Sequence, residues 1–171
     1  PQWFLDITEK GSFPAARHGS NVMKSSKEIA AYMDKTWPDK PDLAIQAGAD
    51  RDVAELENSG LTDHLWTILS KTGTDQAEGE EKFMDELYKI DGICRRNGEG
   101  VWIDGGRRPC YVDCSLACKV NTVIVSCKWL ADPPMDIFEG GRLPALRSYW
   151  EFFKRSSESV SYTHLRAHET S

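Results

Sequence analysis

Phe13-Pro14, followed eleven residues on by Ser25-Ser26-Lys27-Glu28, is the stretch whose reading decides the fold. Ser25 with Glu28 has the form of a capping box, in which the hydroxyl accepts the N–H three residues on and the carboxylate reaches back to the cap. Ile29, Ala30, Met33 and Trp37 then recur at three- and four-residue spacing, which predicts a helix from about Ser25 to Trp37. Such a helix start presents backbone N–H donors and the positive end of the dipole, a seat for a carboxylate. Pro38 and Pro41 close the helix and mark a linker. Upstream, Phe13–Arg17 and Asn21–Met23 are short enough to be two edge strands joined by the turn His18-Gly19-Ser20. Pro1–Ile7, with Trp3, Phe4 and Ile7 on one side, reads as a short helix broken by Gly11.

Beyond Asp50 the pattern is helical only. Val53, Leu56, Leu65, Ile68 and Leu69 suggest one long helix interrupted near Gly60. Phe83, Leu87, Ile90 and Cys94 give a second, ended by Asn97-Gly98, and Val101–Gly106 forms an apolar patch running into a turn. A third, about Tyr111 to Leu130, is apolar nearly all round, the pattern of a helix buried at the centre of a bundle. Pro133-Pro134 end that region, and Leu143-Pro144 start a last helix with Leu146, Tyr149, Trp150 and Phe153. The organisation this implies is residues 1–38 as a partial α/β domain, 39–49 as a linker, 50–158 as an all-helical domain and 159–171 as a separate tail.

Bulk composition narrows the function. A net charge of −6 with no Lys/Arg run argues against a nucleic-acid partner, which needs a basic stripe to neutralise phosphates. No apolar run approaches the roughly 20 residues of a membrane span. The five cysteines, four of them in one helical stretch, read as free thiols of a reducing compartment, so a cytoplasmic location is expected. The chain starts at Pro1 rather than Met, so a longer parent is expected.

An α/β remnant, a proline-bounded linker and an all-helical part, in that order, resemble the glutathione transferase superfamily. The carrying residues are Pro1–Ile7, Gly11-Ser12-Phe13-Pro14 and Ser25-Ser26 for the second half of its thioredoxin-like domain. Tyr111-Val112-Asp113-Cys114-Ser115-Leu116 with Lys119-Val120 is similar to the start of its central helix, and Leu143-Pro144 with Ser148-Tyr149 to its late helix. The nearest likeness is to the dehydroascorbate reductases, with the omega transferases and chloride intracellular channel proteins close by. The likeness covers roughly residues 1–158 and rests on order and spacing.

The resemblance implies a glutathione site. Pro14 matches the family's cis-proline, before which Phe13 would present its backbone to the cysteinyl part of glutathione. Ser26 matches the serine that holds the γ-glutamyl carboxylate, and Ser25 stands where the family has Asp or Glu, so an ionic contact to the ligand's ammonium is lost. Both serines also suit plain helix capping. The family's nucleophile is a cysteine at an upstream helix start, a thiolate-stabilising place, and no cysteine precedes Cys94 here. Cys110, Cys114 and Cys118 recur every four residues. A metal or redox cluster is the sharp reading of that stripe, and small buried hydrophobes the favoured one. Asp113 matches the acidic member of the capping box at the family's central helix, with Cys110 in place of its hydroxyl partner.

The function so implied is a glutathione-dependent dehydroascorbate reductase or thiol transferase. Its parent would use an upstream Cys, with glutathione as co-substrate and a small electrophile such as dehydroascorbate as partner. This chain alone would then be inactive, and a monomer is slightly favoured. The alternative is a non-catalytic, channel-like or scaffold member of the superfamily. Ser161–Ser171 does not continue the pattern and resembles a translated sequencing adapter, so it is set apart from the fold.

Overall fold

A computed structural model describes residues 2–8, 14–37, 50–70 and 74–156, which divide into two units, Pro1–Ile45 and Gln46–Ser171. Gly11, Phe13, Pro38, Pro41, the expected linker and the tail lie outside the described residues.

In the first unit α1 spans Gln2–Ile7. Thr8 ends it by donating its N–H and its hydroxyl to the Phe4 carbonyl, at 3.0 and 2.8 Å. Strands β1 (Ala16–His18) and β2 (Asn21–Met23) pair antiparallel, with Ala16 opposite Met23 and His18 opposite Asn21. The turn is therefore two residues, Gly19-Ser20, one fewer than the sequence suggested: His18 belongs to the strand. Gly19 sits at φ +61°, a conformation that tight hairpins demand and glycine adopts without steric cost. Helix α2 (Ser26–Thr36) follows, closed where the Trp37 N–H meets the Met33 carbonyl at 2.9 Å. Its apolar stripe is only partly covered. Ile29 and Ala30 are half-buried, Met33 and Trp37 are exposed, and no residue of α2 is fully buried.

The second unit contains α3 (Asp50–Glu57), α4 (Leu61–Ser70), α5 (Thr74–Asn97), α6 (Tyr111–Trp129), a short 3-10 turn at Glu139–Gly141 and α7 (Pro144–Arg155). The break expected near Gly60 is present, and Ser59 restarts the chain by accepting the Leu61 N–H on its hydroxyl at 3.3 Å. Helices α4 and α5 pack against each other extensively. Their approach depends on Gly79, where a Cβ would lie 3.0 Å from Thr67 Cγ2 and 3.3 Å from Ile68 Cγ2. Leu61, Leu65, Phe83, Leu87 and Ile90 are fully buried, each contributing about 1.5–3 kcal/mol of transfer free energy. Arg96 (2.6 Å) and Asn97 (3.1 Å) at the end of α5 hold Asp52 of α3. From α6, the Lys119 ammonium donates to the Leu56 carbonyl at 2.9 Å, a cation placed at the negative end of α3.

Helix α6 corrects the all-round burial expected of it. Val112, Leu116, Ala117, Val120, Val123 and Cys127 are buried, but Cys118, Asn121, Thr122, Val125, Lys128 and Trp129 face solvent. Hydropathy misleads here because Cys118, Val125 and Trp129 are apolar residues on an exposed side. Trp129, at 71% exposure, is partly shielded by the Lys128 ammonium, 5.2 Å from its ring centroid.

Candidate functional site

The hairpin register places the candidate glutathione residues. Because Ala16 pairs with Met23, Pro14 enters and Ser25 leaves at the same, open end of the hairpin. Pro14 is exposed, Ser25 half-buried, and Ser26, the first residue of α2, exposed. Phe13, and with it the Phe13–Pro14 bond, lies outside the described residues. The Ser25 hydroxyl accepts the Glu28 N–H at 3.2 Å, as the capping pattern requires. The Glu28 carboxylate reaches back further than expected and accepts the Lys24 N–H at 2.7 Å.

One cluster in this unit was not legible in the sequence. The His18 Nδ1 and the Tyr32 hydroxyl are 2.7 Å apart, and the Asn21 amide donates to the same hydroxyl at 3.4 Å. Trp37 lies with its ring centroid 5.8 Å from that of His18 and 6.4 Å from that of Tyr32. The cluster fixes α2 against the hairpin and so the position of Ser25 and Ser26. A spacing of fourteen residues between His18 and Tyr32 gives no periodic signal that could have announced it.

Two buried carboxylates organise the helical unit. Asp113, wholly buried, is the third residue of α6 and accepts three hydrogen bonds. Its Oδ2 takes the Cys110 N–H at 2.9 Å, and its Oδ1 takes the Ile103 N–H at 2.9 Å and the Tyr149 hydroxyl at 2.6 Å. The reciprocal half of the box, the Cys110 sulfur toward the Asp113 N–H, is the weak one, since sulfur is a poor acceptor. Burial, then the Asp113 charge, pushes the Tyr149 phenol far above its ordinary range, so Tyr149 acts only as a donor. Asp91, absent from the sequence reading, does the corresponding work for α7. Its Oδ1 accepts the Ala145 and Leu146 N–H groups, both at 2.9 Å, and its Oδ2 pairs with Arg95 at 2.7 Å. Leu143, which should cap α7, has a side chain with no acceptor and a left-handed backbone at φ +61°, so the cap comes from α5. The available signal was a charge inside the apolar stripe of Leu87, Ile90 and Cys94.

Comparison with known proteins places this architecture. No family model matches the chain. Glutathione S-transferase U11 from Arabidopsis thaliana is 28% identical over 78 residues, which is 46% of this chain and 32% of the relative. The chain thus spans about a third of the length of that curated relative. A tau-class glutathione S-transferase from mango, Mangifera indica, superposes with a TM-score of 0.74 at 17% identity, covering 92% of this chain and 73% of that one. The Chlamydomonas reinhardtii dehydroascorbate reductase superposes with a TM-score of 0.68 at 23% identity, covering 94% and 70%. The chain has the glutathione transferase fold.

The cysteines of this transferase fold are all free thiols. Cys94, Cys110 and Cys127 are buried and Cys114 is half-buried, but Cys118 is exposed, so the stripe expected in the core runs from core to surface. Burial, reinforced by the Asp91 and Asp113 charges, pushes the Cys94 thiol up to about 12. Burial and the Asp113 charge push Cys110 to about 12, and burial alone pushes Cys127 to about 11. These are inert protonated thiols at neutral pH. Donor atoms of Asp104, Cys110 and Asp113 lie within 4.8 Å of one another. Within this group Asp113 already accepts three donors, the arrangement of a helix cap.

A thiol whose pKa is raised on folding favours the native state fully below its unfolded value of about 8.5, and this advantage is lost as pH rises through the folded value. Unfolding midpoints in urea are expected to be level near neutrality and to fall between pH 9 and 12, as Cys127, Cys94, Cys110 and Tyr149 are forced to ionise. At neutral pH a thiol reagent should modify Cys118 first, and the three buried thiols only on unfolding. Prompt modification of Cys94 in the native protein would contradict this.

Proposed function

We propose that this chain belongs to the glutathione transferase superfamily and supplies the γ-glutamyl half of a glutathione site, in a thiol-transferase or dehydroascorbate-reductase type of enzyme. The observation that carries the reading is the hairpin register, which brings Pro14 and Ser25-Ser26 to one end of a hairpin in this fold. The Ser26 hydroxyl and the first turn of α2 would hold the ligand's γ-glutamyl carboxylate, where the helix dipole favours an anion. Phe13 would present its backbone to the cysteinyl unit, with Pro14 shaping the turn.

No cysteine of this sequence stands before Cys94, and Cys94, Cys110 and Cys127 are buried. In this reading the nucleophile would be a cysteine at a helix start upstream of the α/β part. Its thiolate would attack the electrophile. Glutathione would displace the product to leave a mixed disulfide, and a second glutathione would release the oxidised dimer. Dehydroascorbate gains two electrons and two protons as two glutathione thiols become one disulfide. Free cysteines fit a cytoplasmic setting, and no helix among the described residues is long and apolar enough to cross a membrane. We read the protein as a monomer.

A non-catalytic scaffold or channel-like role is the second reading, favoured by one observation. Ser25 offers no carboxylate to the ligand's ammonium, and its hydroxyl is engaged with the Glu28 N–H. Calorimetric titration of the chain with glutathione tests the cradle. Weak saturable binding is expected, and Ser26→Ala should lower the affinity about tenfold, the equivalent of one charge-assisted hydrogen bond. Identical titrations for the two proteins would sink the assignment.

A further inference from the structure

Arginine is concentrated where nothing in the glutathione reading needs it. A cavity of about 370 Å³ runs along α7 and the turn before it, lined by Arg142, Arg147 and Arg155 together with Ser148 and Glu151. On α7 itself, Arg147, Glu151 and Arg155 follow at four-residue spacing and so share one face. The chain as a whole carries −6, so three guanidiniums around one concavity reverse the prevailing charge.

Their electrostatic partners are few. Lys82, Lys89, Arg95 and Arg96 each hold a carboxylate. Among the described residues, the guanidiniums of Arg142 and Arg147 have neither a hydrogen bond nor an ion pair. Arg155 donates through Nε to the Glu151 backbone carbonyl at 3.1 Å. Among the described residues that line the cavity the one carboxylate, Glu151, is paired with Lys154 at 2.8 Å. That hydrogen bond, and then the charges of Lys154, Arg155 and Arg147, hold its carboxyl below the usual range. The cavity is therefore net positive with guanidinium donors to spare. The N–H groups of Ala145 and Leu146 at the α7 start are engaged by Asp91, so the donors available to a ligand are the arginines and the Ser148 hydroxyl. Phe138 and Pro144 supply an apolar wall beside them.

We propose that this cavity is a second ligand site, for a small organic dianion with an apolar body, of the phosphate-monoester or dicarboxylate class. A planar guanidinium matches either oxyanion in bidentate fashion, and two unengaged guanidiniums with a third nearby suit a doubly charged head. The volume lies at the small end of ligand pockets and fits one ring-sized body.

The test is titration of the whole chain with phenyl phosphate and with phthalate, using benzyl alcohol as the neutral probe. At least one dianion is expected to bind saturably, more than tenfold tighter than benzyl alcohol, and the stronger of the two identifies the class. Binding should weaken between about 50 and 200 mM salt, as phosphate contacts by arginine do. The double variant Arg142→Ala/Arg147→Ala, changing two exposed side chains, should lose at least tenfold, with its urea midpoint unchanged. Lys82→Ala/Lys89→Ala should bind as the parent does. Equal binding by the arginine double variant, equal loss in the lysine variant, or no saturation by either dianion up to about 10 mM, beyond the weakest useful affinities, would overturn the site.

Discussion

Replacing Asp113 by Ala is expected to destabilise the helical unit by roughly 3–5 kcal/mol, enough to unfold a marginal domain. The substitution leaves the Ile103 and Cys110 N–H groups and the Tyr149 hydroxyl without the acceptor they share. Each orphaned buried donor costs about 1–3 kcal/mol, with less than full additivity because the donors share one site. Tyr149→Phe removes one donor and keeps the carboxylate, so its cost should be about 1–2 kcal/mol. The double variant Asp113→Ala/Tyr149→Phe should cost less than the two single variants added together, since the phenol no longer needs an acceptor. Urea unfolding monitored by circular dichroism measures all three, as shifts in midpoint at constant slope. If Asp113→Ala falls within about 1 kcal/mol of the parent, the carboxylate is not the anchor described, because even one lost buried acceptor costs that much.

The second large effect is expected at Asp91. Its removal uncaps α7, leaving the Ala145 and Leu146 N–H groups unpaired beside a wholly buried Leu146 side chain. Asp91→Ala should cost about 2–4 kcal/mol, more than a surface helix cap, because the capping oxygen is buried. Asp91→Asn keeps an acceptor of the same shape and should recover at least half of the loss. Arg95→Ala should cost little, about 0.5 kcal/mol, because the Arg95 side chain is 68% exposed and the pair is screened by solvent. This ranking separates the two roles of Asp91. Equal losses for Arg95→Ala and Asp91→Ala would mean that the ion pair, and not the cap, holds α7 in place.

What was legible in the sequence was whatever has a local period or a local cap. Helix α2 and its Ser25 cap, the break near Gly60, the end of α5 at Asn97 and the start of α7 at Leu143-Pro144 are written in residues at most four apart. The fold followed from their order. What was not legible depends on distance or on which side of an apolar helix meets solvent. Trp129 and Val125 look like core by hydropathy and are exposed; Asp91 looks like surface by charge and is buried. The Asp91 cap bridges more than fifty residues, and the His18–Tyr32–Trp37 cluster arises only after the hairpin has turned. Of the candidate site, Ser25 and Ser26 were read from local grammar and Pro14 from resemblance. The arginine cavity escaped because Arg142, Arg147 and Arg155 are unremarkable singly and converge only through the turn before α7.

The two buried carboxylates also decide how the helical unit comes apart. Helix α7 closes the described part of the chain, a position where fraying usually begins. Here its first turn is tied to α5 through Asp91 and its middle to α6 through Asp113. Detaching it would expose both charges' donors together with the buried Leu146 and Tyr149. The cheapest opening of this helix therefore approaches the free energy of losing the whole unit. Partial unfolding is left to the exposed turns between α6 and α7, and α7 acts as the bolt of the described helical unit rather than its loose end.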